Sequence, residues 1–350
     1  MTSPVPHDLT ARERQVLEAV IQSYVETAEP AASRTLSRRF GLGVSPATIR
    51  NTMSDLEEKG YLFHPHTSAG RVPTDRAYRL YVDSLLAFEP VVSDAERRMA
   101  DELAAAGRNA IEGILRRAAQ SLGVLTQELG VALGPRLDAA VLRRIELVKL
   151  ASDRMLMVLA LERGVARSIY IEVPVDIADD ALGIVSAVLN ERLAGHTLAE
   201  IRSSLGARLR DASAAGSAGE LLNIFLEEGE QYFADAMRPD AASVVLGQAS
   251  VLAEHPEFAS SEGMKQLLAI TETPHHLADV LRARKDNPGI TITIGNEHAD
   301  PRLDRFTIVT AEYHVGALAG VIGVIGPTRM PYAKVISLVT HTSRLVSDLL

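Results

Sequence analysis

The chain has 350 residues, 47% of them hydrophobic, which is enough for two or three compact domains with their own cores. It contains no cysteine, which excludes disulfides, thiolate metal sites and cysteine nucleophiles, and its net charge of −9, taken alone, argues against a nucleic-acid partner. No apolar run approaches the roughly 20 residues that cross a bilayer, and the N-terminus lacks the apolar segment of a secretory signal, so we expect a cytoplasmic protein without membrane contact.

The charges are unevenly distributed along the chain. Residues 1–85 hold ten Lys or Arg and ten Asp or Glu, so the remaining residues carry the whole net charge of −9. Within residues 34–79, eight basic residues stand against four acidic ones. A locally basic segment on an acidic body indicates where an anionic partner binds.

The first helix is predicted where Thr10 and Glu13 have the spacing of a capping box and apolar residues then recur at helical intervals. A short second helix is predicted over 33–40. Ser45 followed by Pro46 is typical of a helix start and predicts a third helix, which ends at the glycine of EEKG.

Two strand-like segments, YLFHP and RVPT, come next and flank the turn HTSAG. Thr74 then predicts the start of a further helix. The order over residues 1–86 is therefore helix, short helix, helix, hairpin and helix. This order predicts a helix-turn-helix with a β wing, which is a DNA-binding architecture.

The pattern changes beyond residue 86. Residues 87–110 are charge-rich and predict a helical connector. Three strand-like runs within 144–173 predict an antiparallel meander, and helical segments follow from 177 to about 285. The runs ITITIG, FTIVTAEYHV and ALAGVIGVIG predict strands, and 331–350 predict a closing helix. The predicted fold class is multidomain α/β, with an α+β domain that carries a helical insertion.

The third helix has the polarity of a recognition helix. At 100° per residue its apolar residues share one face, and the opposite face presents small and hydrogen-bonding side chains toward the N-terminal end. Arg50 can bond guanine through two hydrogen bonds, and Asn51 can bond adenine. The residues of this helix start and face that we predict to contact DNA are Ser45, Ala47, Thr48, Arg50, Asn51 and Ser54.

The wing and the following helix supply the other predicted contacts. Gly70 is assigned the flexible backbone that a tight turn requires, and Arg71 can reach a phosphate or the minor groove. The stretch HPHTSAG lacks the spacing of a phosphate-binding loop, and its two histidines are too few for a metal site without a third ligand. The remaining predicted DNA contacts are His66, Thr67, Ser68, Gly70, Arg71, Arg76 and Arg79.

Two blocks, SPATIRNTMSDLEEKGYL and PHTSAGRVPTDRAYRLYVD, together resemble the family of the heat-inducible transcription repressor HrcA. The stretches ITITIGNE at 290–297 and GVIGVIGPTRMPYAKVI at 320–336 agree, so the resemblance covers nearly the whole chain. Pro46 stands where a small polar residue is common in the family, and Ala77 stands where glycine is common. Both departures are mild, and proline suits a helix start.

The resemblance implies a winged-helix DNA-binding domain over 1–86, the connector over 87–110, a GAF-like domain over 111–174 and 261–350, and an inserted, mainly helical dimerisation domain over 175–260. It further implies a homodimer that binds an inverted-repeat operator in double-stranded DNA and represses heat-shock chaperone operons. A GroEL-type chaperonin and temperature are implied as the modulators of this activity.

Two other functions stay open at this point. An enzyme with a DNA-binding appendage would need reactive groups, but the sequence shows no nucleophile elbow, metal motif or paired carboxylates, and GVIGVIGP fits a buried strand better than a nucleotide loop. We therefore expect no catalytic residue, metal or cofactor. The second alternative is a metabolite-responsive repressor with a ligand in the GAF-like domain.

Overall fold

The computed structural model describes residues 8–65, 70–86, 99, 111–173, 177–237, 244–283 and 289–350. Apart from Met99, the predicted connector over 87–110 lies outside the described residues. The N-terminal unit comprises α1 (Ala11–Thr27), α2 (Ser33–Arg39), α3 (Pro46–Glu58), β1 (Leu62–Phe63), β2 (Val72–Pro73) and α4 (Asp75–Leu86). The predicted order of helices and strands is confirmed for this unit.

The predicted capping box at the start of α1 is also confirmed. The Glu13 amide donates to the Thr10 hydroxyl at 3.2 Å, and the Thr10 amide donates to the Glu13 carboxylate at 2.7 Å. Lys59, which follows α3, donates to the same carboxylate at 2.8 Å. The cap of α1 therefore also ties the end of α3 to the start of the unit.

A second unit, which we call the body, consists of an antiparallel sheet and the helices that pack on it. The described residues contribute five strands to this sheet, which we call the larger sheet. These strands are β3 (Leu129–Leu133), β7 (Val244–Leu246), β8 (Ile290–Ile294), β9 (Phe306–Val315) and β10 (Leu318–Pro327). Their order is β7-β3-β10-β9-β8. The predicted strands β8 to β10 are confirmed, and GVIGVIGP lies in β10, which is buried almost throughout.

Helices cover both faces of the larger sheet. Because side chains alternate along a strand, neighbours such as Val131 and Ala132 point to opposite faces and belong to two separate apolar clusters. Helices α5 (Ile111–Thr126) and α12 (Tyr332–Leu349) pack on one face. The other face is covered by α9 (Ser250–Ala253), α10 (Ser261–Thr271) and α11 (Pro274–Arg282).

The predicted meander is confirmed, but it does not join the larger sheet. Strands β4 (Leu142–Ala151), β5 (Arg154–Leu161) and β6 (Ala166–Glu172) form a separate sheet in the order β4-β5-β6. Three helices accompany it: α6 (Asp179–Leu193), α7 (Leu198–Leu209) and α8 (Ser217–Met237). We call this sheet and its helices the insert, which spans 142–237.

Strands β3 and β7 have no counterpart among the predicted elements. Both are short, and β3 is buried at every position, so its sequence LGVAL shows no alternation of apolar and polar residues. Strand β7 lies within the range that the sequence assigns to the helical insertion, yet it pairs with β3. In the described ranges, no helix is long and apolar enough to cross a membrane.

A carboxyl group is buried beneath the larger sheet. Glu128, next to β3, is 0% exposed, and among the described residues neither of its carboxyl oxygens has a hydrogen-bond partner. A Cβ atom on Gly326 would lie 2.0 Å from Oε2 of Glu128, so only glycine leaves room for it. Burial raises the pKa of Glu128 well above its usual range, with Arg329 lowering it and Glu257 raising it further.

Glu128→Gln is expected to change how stability depends on pH. Since the folded state holds the Glu128 proton more tightly than the unfolded chain, folding takes up a proton above the ordinary glutamate pKa. The free energy of unfolding then falls as pH rises, by up to about 1.4 kcal/mol per pH unit, until the folded-state pKa is passed. Glutamine cannot titrate, so urea unfolding should favour the variant progressively as the pH rises above the ordinary glutamate pKa. Parallel pH profiles of the two proteins would show that Glu128 folds in its charged form.

Candidate nucleic-acid interface

Helix α3 begins with the predicted cap. The Thr48 amide donates to the Ser45 hydroxyl at 3.2 Å, and the two hydroxyl oxygens lie 3.0 Å apart. Pro46 occupies the first turn, where its missing amide proton costs nothing. Ser45 and Thr48 are therefore committed to ordering the helix start, and the free amides of the first turn favour an anion in front of them.

The predicted division of α3 into two faces is confirmed. The buried residues are Ile49, Thr52, Met53 and Leu56. On the other side, Ala47, Arg50 and Asn51 are exposed, and Ser54 is half-buried. A groove in a nucleic acid can thus reach two side chains with base-recognition chemistry, flanked by small residues.

Three arginines around this face are exposed and available. Within the described ranges, neither an ion pair nor a hydrogen bond engages the side chains of Arg34, Arg38 and Arg50. Arg34 and Arg38 lie four residues apart on α2 and so share one side of that helix. These two arginines are not among the predicted DNA contacts, although their spacing on a predicted helix is a signal that could have identified them.

The base of the hairpin is fixed by a close backbone contact. Ala31 and Arg71 exchange two backbone hydrogen bonds of 2.8 and 3.0 Å, so the segment before α2 extends the hairpin. A Cβ atom on Gly70 would lie 2.2 Å from the carbonyl oxygen of Ala31. The φ angle of Gly70 is not positive. In the structure, glycine is needed at this position for the close approach to Ala31.

Gly70→Ala is expected to destabilise the protein by about 1–3 kcal/mol, because the methyl group collides with backbone rather than with a movable side chain. The matched control is Gly206→Ala in α7, where an added Cβ meets nothing within 4 Å. That change should be neutral or stabilise by up to about 1 kcal/mol through helix propensity. Urea unfolding of the two variants checks the difference, and equal stabilities would show that the hairpin does not depend on this contact.

Arg71 is engaged within the protein. Its guanidinium lies 2.7 Å from Oε2 of Glu57 on α3, and its side chain is 13% exposed. The other oxygen of Glu57 lies 3.2 Å from Nδ1 of His64. Glu57 thus ties both hairpin strands to α3, and Arg71 takes part in this arrangement through Nη2.

Arg76 packs on the end of the hairpin. Its guanidinium lies 4.4 Å from the ring centroid of Tyr61, which is a cation–π distance. It also donates to the Lys59 carbonyl at 2.8 Å and to Asp8 at 3.0 Å. Over half of the Arg76 side chain remains exposed, so it can still face an anion at the rim of the interface.

Arg79 faces the body, and 29% of its side chain is exposed. It forms two hydrogen bonds to the carboxylate of Glu297 and donates to the Ile292 carbonyl at 2.8 Å. These partners lie more than 200 residues away in sequence, which is why no local pattern reveals them. The predicted residues His66, Thr67 and Ser68 lie outside the described residues.

The comparisons with known proteins agree along the chain. The family model for the HrcA protein C-terminal domain matches residues 112–336. A heat-inducible transcription repressor HrcA from Geobacter sulfurreducens is 39% identical, with 98% of each chain covered. A repressor of the same name from Chlorobium chlorochromatii is 36% identical over the same shares. A crystal structure described as that of a hypothetical protein has a TM-score of 0.63 at 22% identity, with 98% of both chains covered, and supports the fold alone.

A mixed α/β chain with an exposed polar helix face and relatives of this kind belongs to the transcription repressors, a class of regulators rather than enzymes. More particularly, the chain belongs to the HrcA family of heat-inducible transcription repressors, as the resemblance in sequence indicates.

Proposed function

We propose that this protein represses heat-shock chaperone operons by binding an inverted-repeat operator as a homodimer, with activity modulated by temperature and a GroEL-type chaperonin. The N-terminal unit acts as a winged-helix domain in which α3 enters the major groove and the hairpin lies beside it. The observation that carries this proposal is the exposure of Arg50 and Asn51 on a helix whose other face is fully packed.

The polar side chains of the unit have three proposed roles: base recognition, phosphate contact and stabilisation of the hairpin. Arg50 and Asn51 read bases, because their donors and acceptors match guanine and adenine edges. Arg34 and Arg38 contact phosphates from α2, the helix that crosses the backbone in this architecture. We assign Arg71 to support, since it holds the hairpin against α3 through Glu57.

The body and the insert account for the part of the proposed function that lies outside DNA binding, which includes dimerisation. We propose that the larger sheet and its helices form the GAF-like domain and that the insert spans 142–237 instead of 175–260. The reason is topological: β4 to β6 pair only among themselves within the described residues, and β7 pairs with β3 of the larger sheet.

We further propose that the outer face of the insert sheet is the dimer interface. Val148, Leu156 and Tyr170 are directly paired across the three strands and so form one apolar row on one face. Tyr170 is 73% exposed and Val148 44% exposed. An exposed apolar patch on a sheet is typical of a protein–protein interface, and a two-fold pair would cover it while presenting two copies of α3.

The direct test is a gel shift with the DNA upstream of the gene for this chain, with and without chaperonin. Repressor function predicts a specific complex whose footprint has two-fold symmetry and whose amount depends on chaperonin. Binding that does not distinguish this DNA from unrelated DNA at equal salt would contradict it.

One observation favours a second candidate, a repressor that also responds to a small anionic metabolite. A cavity of about 310 Å³ lies between the larger sheet and the insert, lined among others by Leu115, Leu133, Val245, Arg136 and Arg282. The Nε atom of Arg282 is buried without a hydrogen-bond partner among the described residues. A thermal-shift screen tests this candidate, which requires one compound that both binds tightly and strengthens DNA binding.

A further inference from the structure

We propose that a polar joint between the N-terminal unit and the body fixes the orientation of α3 and thereby sets which spacing of operator half-sites the dimer accepts. The joint consists of Asp75 and Arg79 on α4 and of Glu257, Glu297 and Arg329 on the body. These five are positioning residues, and they act through α3 without touching DNA. The inference rests on the proposed operator-binding function.

The first anchor of the joint is Arg79. Its guanidinium binds the Glu297 carboxylate through Nε and Nη2 and also donates to the Ile292 carbonyl. Glu297 is itself held, because it accepts a hydrogen bond from the Ile294 amide at 2.8 Å. A bidentate contact of this kind restricts the rotation of α4 as well as its distance from the body, so it specifies how α4 lies on the body.

The second anchor lies one turn earlier on α4. Oδ2 of Asp75 accepts a hydrogen bond from the Asn296 amide at 3.0 Å. A Cβ atom on Gly295 would lie 2.2 Å from that same oxygen, and the φ of Gly295 is +49°. Any other residue at 295 would be strained and would push Asp75 away, so the loop after β8 is shaped to receive α4.

The third anchor lies where α1 ends. Arg329 donates to the Val25 carbonyl at 2.7 Å and forms two hydrogen bonds to Glu257, at 2.6 and 3.2 Å. Its side chain is 12% exposed. Between the anchors, the buried rings of Tyr78 and Tyr332 lie 5.7 Å apart.

The chemistry of the joint suits positioning better than strong adhesion. Partly exposed ion pairs each contribute about 0–1 kcal/mol, whereas the buried apolar residues of both halves, Tyr78 and Tyr332 among them, form one continuous cluster. Polar interfaces between domains permit relative motion unless specific contacts prevent it. Loss of one anchor should therefore let the unit change orientation while both halves stay folded.

Orientation matters because the dimer interface lies in the insert and the reading helix lies in the N-terminal unit. When one α3 is bound, the second half-site is reached at an effective concentration that depends on how rigidly the two helices are held. A rigid joint gives a high effective concentration at one spacing and a low one at all others. With a flexible joint, the two copies of α3 adopt several separations, so the effective concentration is divided among several spacings.

The experiment measures affinity for a series of DNA duplexes. The wild-type footprint on its upstream DNA first defines the half-sites, whose separation is then varied in single base pairs over about one helical turn. A duplex with a single half-site is included. The variants are Arg79→Gln, Arg329→Gln and the exchanged pair Arg79→Glu with Glu297→Arg. The matched control is Arg143→Gln, which breaks an exposed ion pair with Glu162 in the insert.

We expect the wild type and the control to share one sharp optimum of spacing. Arg79→Gln and Arg329→Gln should lose about tenfold at that optimum and little elsewhere, with unchanged affinity for the single half-site. The exchanged pair should recover part of the preference, which a general loss of stability would not allow. An unaltered spacing profile in both glutamine variants, or an equal loss on the single half-site, overturns the proposal. If the wild type binds no half-site at all, the proposed function itself fails.

Discussion

Tyr170→Asp is expected to turn the proposed homodimer into a monomer and to weaken operator binding by at least about 100-fold, the scale on which two linked sites exceed one. The aspartate would place a charge at one end of the apolar row formed by Val148, Leu156 and Tyr170. Pairing two such faces would then bury two uncompensated carboxylates. Because Tyr170 is 73% exposed in the single chain, the monomer should fold normally.

Sedimentation analysis and an operator titration check this result. The matched control is Leu268→Asp, which places the same charge at another exposed apolar position, on α10 of the body. That control should remain dimeric with wild-type affinity. A Tyr170→Asp protein that still sediments as a dimer would move the interface elsewhere, and a monomer with unchanged operator affinity would remove the need for a dimer.

Asn51→Ala is expected to reduce operator affinity by about 1–3 kcal/mol and to relax the sequence preference at one position of each half-site. The Asn51 side chain is exposed on α3, so its removal should leave the stability of the fold nearly unchanged. Titrations against the operator and against single-base variants of it measure both effects.

Asp55→Ala supplies the control for that experiment, because Asp55 is also exposed on α3 but lies one turn nearer its C-terminal end. It removes a negative charge and should raise affinity for all DNA slightly. If Asn51→Ala weakens operator and unrelated DNA equally, Asn51 does not recognise a base.

Local sequence signals predict the N-terminal unit well. Capping residues and apolar spacing identify the start and the packed face of α3, since both depend on side chains within a few turns of one helix. The same reasoning cannot predict the contacts of Arg79 with the body, which are made to residues 292 and 297. Nor does it explain Gly70, because the atom that requires glycine there belongs to Ala31.

The division of the chain into two sheets is likewise predicted only in part from the sequence. The meander is predicted because its strands are consecutive and their apolar residues alternate. Its separation from the larger sheet depends on which edges pair, and β7 reaches β3 from more than 100 residues away. A strand as short as β7, or one buried at every position as β3 is, lacks a periodic signal, so only the folded arrangement separates the two sheets.

The most direct test of the account is whether α3 lies in the major groove when DNA is bound. Since the chain has no cysteine, Ala47→Cys creates a single attachment point on the exposed face for a DNA-cleaving iron chelate. We predict two clusters of strand cuts across the major groove, symmetric about the operator centre. The same label at Leu268→Cys should give none. DNA that is bound but uncut by the Ala47→Cys conjugate, or cut identically by both conjugates, would contradict the assignment of α3 as the reading helix.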